Sequence, residues 1–172
     1  DLYTFEQVNK VADIIQVGAK AMYNISLLNA VGKSGKPVLI KRHFAATIEE
    51  LLKMTDYAML QGNSQIMLCE RGIRTFETSS RFTLDLSGAA VIQETAKLPL
   101  IIDPSHAMGY SYGVPKLARA AAAFGVDGLI IEVHPNRCEA LCDKDQAMSH
   151  EEFEILYNEL KNNVKQIGRV LI

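Results

Sequence analysis

Short continuous apolar runs alternate along the chain with longer segments whose apolar residues recur every three or four positions, five times over at intervals of about 30 residues. The stretch 11–18 ends in a compact strand-like run, and 24–31 has helical spacing, with Gly32 expected as the left-handed residue that closes the helix. Residues 37–41 are the next strand. Thr47-Ile48-Glu49-Glu50 has the form of a capping box and predicts a helix over 47–61. A strand at 65–70, a helix at 84–95 and an apolar run at 98–103, with Pro99 at its edge, follow. An Ala-rich helix at 115–124 stops at Gly125, a strand runs over 128–133, and Ser149 with Glu152 opens a last helix to about 167. Continuous apolar runs imply strands buried on both faces, the pattern of a parallel sheet covered by crossover helices. The fold class is therefore α/β. No linker or low-complexity tract interrupts the 172 residues, so residues 1–172 are expected to form one domain.

Composition narrows the function. The 18 Lys+Arg balance 20 Asp+Glu, so no basic stripe for nucleic acid or an anionic membrane can be built. No apolar run approaches the roughly 18 residues that span a bilayer, and residues 1–20 lack a basic stretch followed by an apolar core. Three cysteines, Cys69, Cys138 and Cys142, cannot all pair, which fits a reducing, cytoplasmic setting. Cys138 and Cys142 lack the second pair a zinc ribbon requires, and Cys69 lies inside an apolar run, so all three read as non-catalytic. Asp1 in place of an initiator Met points to a partial or processed chain.

The chemistry-bearing residues collect at the carboxyl ends of the strands. Lys20 follows the first, Lys41 and Arg42 the second, Glu70 and Arg71 the third, Asp103 and His106 the fourth, Glu132 and His134 the fifth. In a parallel sheet this is the edge where βα loops converge and ligands bind. Lys20, Lys41 and Arg71 supply what a phosphate needs, point-charge ammonium groups and a forked guanidinium. Taken singly, Lys41, Arg42 or Arg71 could instead be an ordinary solvated loop cation. His106, Glu132 and Asp143 form a mixed N/O set suited to Zn, Fe, Mn or Co. The alternative for His106 is a structural imidazole bonded to a core carboxylate. His134 either orients a ligand at the rim or ends its strand, and His43 and His150 read as loop and helix-start residues. No P-loop, dinucleotide fingerprint or Gly-x-Ser-x-Gly elbow is present.

Taken together, Lys41-Arg42, the run Leu68-Cys69-Glu70-Arg71-Gly72-Ile73-Arg74-Thr75-Phe76-Glu77, Asp103-Pro104-Ser105-His106 and Ile131-Glu132-Val133-His134-Pro135 resemble the second half of the type I-beta 3-deoxy-D-arabino-heptulosonate 7-phosphate (DAHP) synthases. The resemblance extends over nearly all of residues 5–166. The 3-deoxy-D-manno-octulosonate 8-phosphate synthases share the Cys-Glu/Asp-Arg-Gly and Glu-x-His-Pro elements. Ile73-Arg74-Thr75-Phe76 and Asp103-Pro104-Ser105-His106 look more like the heptulosonate enzyme. The resemblance implies a (β/α)8 TIM barrel, this chain corresponding to strands four to eight. It also implies condensation of phosphoenolpyruvate with erythrose 4-phosphate, the first step of the shikimate pathway, in a protein that is commonly a homo-oligomer.

By the same resemblance, Lys41 and Arg71 bind phosphoenolpyruvate, and Lys20 stands where the family usually carries arginine, keeping the charge without the fork. His106, Glu132 and Asp143 match three of the family's four metal ligands, although the usual Asp-Gly is here Asp143-Lys144. The implied chemistry is attack of C3 of phosphoenolpyruvate on a polarised aldehyde, addition of water at C2 and loss of phosphate by C–O cleavage. Lys41 and water at the metal are the two candidate proton carriers. The family's cysteine ligand and its Lys-Pro-Arg-Thr/Ser loop lie upstream of anything matched. Two alternatives therefore stand beside the heptulosonate enzyme: the octulosonate enzyme acting on arabinose 5-phosphate, and a non-catalytic half-barrel. Against the roughly 250 residues of a typical barrel, 172 is about two-thirds.

Overall fold

The computed structural model describes residues 1–171. Tertiary contacts divide the chain into two compact units, Asp1–Glu70 with Ser87–Leu100, and Arg71–Leu86 with Ile101–Ile172.

In the first unit, β1 (Ile15–Val17), β2 (Val38–Lys41) and β3 (Ile66–Glu70) are parallel, with Ile15 opposite Val38 and Val38 opposite Ile66. All four residues of β2 are buried, the two-sided burial that its continuous apolar run predicts. The unit also holds α1 (Phe5–Val11), α2 (Ile25–Gly32), α3 (Ile48–Met59) and nearly all of α4 (Leu86–Thr95). Asn24 caps α2 by accepting from Leu27 N at 3.0 Å. Both halves of the Thr47/Glu50 capping box form, Glu50 N donating to Thr47 Oγ1 at 3.1 Å and Thr47 N to Glu50 Oε2 at 2.7 Å. The bond from Thr47 N, with a second from Thr47 Oγ1, holds the Glu50 carboxyl below its ordinary range.

Gly32 departs from expectation. It is the last residue of α2 itself, and Lys33 follows in right-handed conformation, so no left-handed cap exists there. Its role is steric: a Cβ at Gly32 would lie 2.4 Å from Ala58 O and 2.9 Å from Ala58 Cα, so α2 and α3 pack backbone to backbone at this point. Gly32→Ala is expected to lose about 1–3 kcal/mol to overpacking, despite alanine's better helix propensity. A thermal melt reads this, and a midpoint equal to or above wild type would contradict it.

In the second unit, which holds all of β4 (Leu100–Ile102) but its first residue, β4 pairs in parallel with β5 (Gly128–Leu129), Ile101 opposite Gly128. Here lie α5 (Pro104–Met108), α6 (Val114–Phe124) and α7 (His150–Gln166). Gly125 ends α6 at φ 89°, as expected, and the Ser149/Glu152 capping box opens α7. Val114, Ala118 and Ala122 of α6 share a buried cluster with Leu156 and Leu160 of α7. The small alanines of α6 allow close approach of the larger leucines.

The fifth strand is shorter than its apolar run. Ile130 N still donates to Ile102 O at 2.9 Å, but Glu132 N turns to Ser105 Oγ at 3.0 Å and Met148 N donates to Glu132 O at 2.9 Å. A side chain and a later loop take over the ladder, which ends the strand and fixes the backbone at Glu132.

Candidate active site

In the first unit, Lys20 sits in a single 3-10 turn, Ala19–Ala21, directly after β1 and is exposed. Lys41 ends β2 and is only 5% exposed. Arg42 Nη1 lies 2.9 Å from Glu70 Oε2, with Glu70 fully buried, and Arg42 Nε donates to Ala46 O at 3.0 Å. Arg42 N also donates to Cys69 O at 2.9 Å. These bonds give Arg42 a structural task at the ends of β2 and β3, which separates it from the candidate cations Lys20 and Lys41.

In the second unit, Arg71 is 5% exposed, and its guanidinium lies 4.3 Å from the centre of the Phe82 ring. Gly72 follows at φ 97°, where a Cβ would meet Phe82 Cβ at 2.6 Å and Ala107 Cα at 3.0 Å. Ile73 and Thr83 exchange backbone hydrogen bonds of 2.8 and 2.9 Å, closing the loop that brings Phe82 back to Arg71.

The run Asp103-Pro104-Ser105-His106 works as one device. Asp103, fully buried, caps α5 through Oδ1, which accepts from His106 N at 2.9 Å, and Pro104 occupies the first turn, where a missing N–H costs nothing. Asp103 Oδ2 lies 2.8 Å from His106 Nδ1, a close contact off the line of a hydrogen bond. Ser105 meanwhile holds the backbone of Glu132. Asp103 thus fixes the backbone of His106 through Oδ1 and sets its second carboxylate oxygen against the imidazole edge at Nδ1.

Around that ring, Glu132 Oε1 is 3.9 Å from Nδ1 and Asp143 Oδ2 is 4.0 Å from Nε2. Two donor atoms that each approach a divalent ion at about 2.0–2.2 Å can be up to about 4 Å apart, so Nε2 and Oδ2 are within reach of one shared ion. The donor chemistry fits such an ion, but the cluster is open: among the described residues, no three His, Cys, Asp or Glu side chains converge closely enough to enclose one. Asp143 adopts φ 53°, a conformation aspartate tolerates better than most side chains.

Two residues that carry no sequence signal complete this cluster. Arg81 Nη1 donates to Asp143 Oδ1 at 2.9 Å and to Gln146 Oε1 at 2.7 Å, and Gln146 is 1% exposed. Arg81 lies in a polar stretch without a motif, and 62 residues separate it from Asp143, so only the fold brings them together. His134 lies beyond the end of β5, just after the isolated bridge between Val133 and Met148, its N donating to Met148 O and its Nδ1 accepting from Asn136 N at 3.1 Å. His43 packs against Tyr23 and Phe44, and His150 is the first residue of α7. Cys69 is buried, Cys138 and Cys142 are exposed, and all three are free thiols. Among the described residues, no helix is long and apolar enough to cross a membrane.

The sequence pattern of the DAHP synthetase I family matches residues 1–167. Phospho-2-dehydro-3-deoxyheptonate aldolase of Thermotoga maritima is 46% identical over 162 residues, which cover 94% of this chain and 48% of that protein. 2-Dehydro-3-deoxyphosphooctonate aldolase of Desulfatibacillum aliphaticivorans is 32% identical over 174 residues, covering 93% of this chain and 63% of its own length. The crystal structure of the Thermotoga maritima DAHP synthase superposes with a TM-score of 0.97 at 44% identity, over 99% of this chain and 50% of that one. A truncated form of 3-deoxy-D-arabino-heptulosonate 7-phosphate synthase from the same organism gives 0.95 at 44% identity, over 98% and 64%. The chain thus spans about half the length of the Thermotoga relative, and the expected α/β class is borne out as part of a (β/α)8 barrel. On the family pattern and this degree of identity, the chain belongs to the DAHP synthetase I family.

Proposed function

We propose that the protein condenses phosphoenolpyruvate with erythrose 4-phosphate to give 3-deoxy-D-arabino-heptulosonate 7-phosphate and inorganic phosphate, the opening step of the shikimate pathway. The observation that carries this reading is the superposition on the Thermotoga maritima DAHP synthase, TM-score 0.97 at 44% identity. The octulosonate enzyme is the second reading, resting on a relative 32% identical. Residues 1–172 would form strands four to eight of a single catalytic barrel domain, in a homo-oligomer of the cytoplasm.

In this reaction C3 of phosphoenolpyruvate forms a bond to the aldehyde carbon, water adds at C2, and the C–O bond to phosphate breaks. Lys41 and Arg71 are the proposed anchors for phosphoenolpyruvate, with Lys20 as a further cation. Their near-complete burial supports the assignment of Lys41 and Arg71, because a charge removed from water binds an oxyanion more strongly than an exposed one. Lys41 is also the proposed proton carrier. His106, Glu132 and Asp143 would hold a divalent ion, whose chemistry is to polarise the sugar aldehyde. Asp103 holds the backbone of His106, and the Ser105 hydroxyl holds that of Glu132.

The test is phosphate release by the intact protein from phosphoenolpyruvate with erythrose 4-phosphate or arabinose 5-phosphate, with and without divalent metal. Preference for the four-carbon sugar supports the proposal; preference for arabinose 5-phosphate, or no turnover with either, overturns it. Within that assay, Lys41→Met is expected to lower kcat/KM for phosphoenolpyruvate by about 100-fold or more, with no fall in the urea midpoint. Near-normal kcat/KM would remove Lys41 from the binding site.

A further inference from the structure

Arg81 is held more firmly than an exposed loop cation needs to be. Its backbone N donates to Met108 O at 3.0 Å, and that of the next residue, Phe82, to Ala107 O at 2.8 Å. Opposite it, Gly109 adopts φ 78°, and a Cβ there would lie 2.5 Å from Arg81 Cβ, so the path of Arg81 depends on that glycine. At the far end, one guanidinium nitrogen bonds both Asp143 Oδ1 and the nearly buried Gln146 Oε1. Gln146 N in turn donates to Asp143 O at 3.2 Å, and Ala147 N to the same carbonyl at 3.1 Å. Asp143 is thus gripped through both its main chain and one carboxylate oxygen, leaving Oδ2 as the oxygen that faces His106 Nε2 at 4.0 Å.

We propose that Arg81 is a positioning residue for the metal centre, holding Oδ1 of Asp143 so that Oδ2 is aimed at an ion shared with His106. This rests on the reading that His106, Glu132 and Asp143 bind a divalent ion. Two effects oppose each other. A guanidinium near a metal repels it and competes for the carboxylate, whereas a carboxylate already fixed in the binding rotamer has no side-chain freedom left to lose. Positioning prevails because the charge on Arg81 is met by Asp143 itself and its side chain is 43% exposed, so solvent screens the repulsion. The orienting bond, a direct 2.9 Å contact, is screened less than the longer-range repulsion between the guanidinium and an ion beyond the carboxylate.

The sign of the effect is therefore the test. Mn2+ affinity is measured by equilibrium dialysis on the intact protein, on Arg81→Met, on Arg81→Lys and on His106→Ala, with metal-free melting curves to show that each is folded. Arg81→Met is expected to raise the Mn2+ Kd about tenfold or more, the scale seen when outer partners of metal ligands are removed. Arg81→Lys falls between it and wild type, because an ammonium keeps the charge without the fork. An unchanged or tighter Kd in a folded Arg81→Met overturns the proposal. If His106→Ala loses Mn2+ while Arg81→Met does not, the metal reading stands and the clamp alone falls. If the unaltered protein binds no Mn2+, both are wrong.

Discussion

Replacing His106 by alanine is expected to abolish stoichiometric binding of a divalent ion, with the protein still folded. The imidazole is the sole nitrogen donor of the proposed set, and it lies between the two carboxylates, 3.9 Å from Glu132 and 4.0 Å from Asp143. Without it, two acidic side chains on a partly exposed edge remain, a weak and unselective pair for a borderline metal. The loss should exceed the roughly 10–100-fold that follows removal of an outer partner. Elemental analysis after dialysis reads the metal content directly. A melting curve gives an independent signal, because a ligand at 100 times its Kd stabilises the folded state by about 2.7 kcal/mol, an increment the variant should lack. Unchanged metal content would assign His106 to the alternative its sequence context leaves open, an imidazole placed by the buried Asp103 carboxylate for structural reasons. The 2.8 Å approach of Asp103 is compatible with both roles, so the metal measurement separates them.

Glu70→Ala is the second large effect, and it acts on stability. Glu70 is fully buried and the Arg42 side chain is 6% exposed, so their 2.9 Å contact lies out of reach of water. A buried ion pair adds little over a well-packed apolar pair, but breaking one by removing a single partner costs about 3–5 kcal/mol, because a guanidinium loses its counter-charge in a low-dielectric site. The urea midpoint should therefore fall steeply for Glu70→Ala. It should fall less for Glu70→Gln, which keeps an acceptor for Arg42 Nη1. Combining Arg42→Leu with Glu70→Leu should recover much of the loss, which separates an electrostatic penalty from a cavity. A decrease below about 1 kcal/mol for Glu70→Ala would show that the pair is solvated in solution. The pair is also relevant to the site, since Arg42 follows Lys41 directly and its anchoring fixes the backbone that carries that lysine.

What could be read from the order of residues was set by short-range chemistry. The capping boxes at Thr47/Glu50 and Ser149/Glu152 lie within four residues, and each forms as its pattern implies. The apolar runs of β2 and β3 announce strands buried on both sides, and Gly125 marks a helix end because a left-handed residue is needed there. Asp103-Pro104-Ser105-His106 contains its own N-cap and first-turn proline, so the short helix presenting His106 is encoded where it stands. Each of these features depends on backbone geometry and neighbours a few bonds away.

The remaining features depend on partners far along the chain. α1 has a single buried residue, Phe5, too little for a periodic signal. Its far end is held by Lys36 Nζ, which donates to the carbonyls of Asn9 and Ala12, the latter at 2.6 Å. Gly32 looked like a helix stop because glycine commonly is one, and it proved to be the point where α2 meets the backbone of α3. The fifth strand ends early because Ser105 and Met148 claim hydrogen bonds that a ladder would otherwise use. The pairing of Arg81 with Asp143 and Gln146 could not be foreseen from spacing, since nothing local distinguishes Arg81 from any solvated cation. Local chemistry thus encoded the elements and the ligand types they present, whereas long-range packing chose which cation became structural, which carboxylate oxygen faces the imidazole and how far each strand runs. The reason is physical: hydrophobic burial acts without direction and can be read from periodicity, but a hydrogen bond or ion pair needs two atoms within about 3 Å, a condition that only the folded backbone can satisfy.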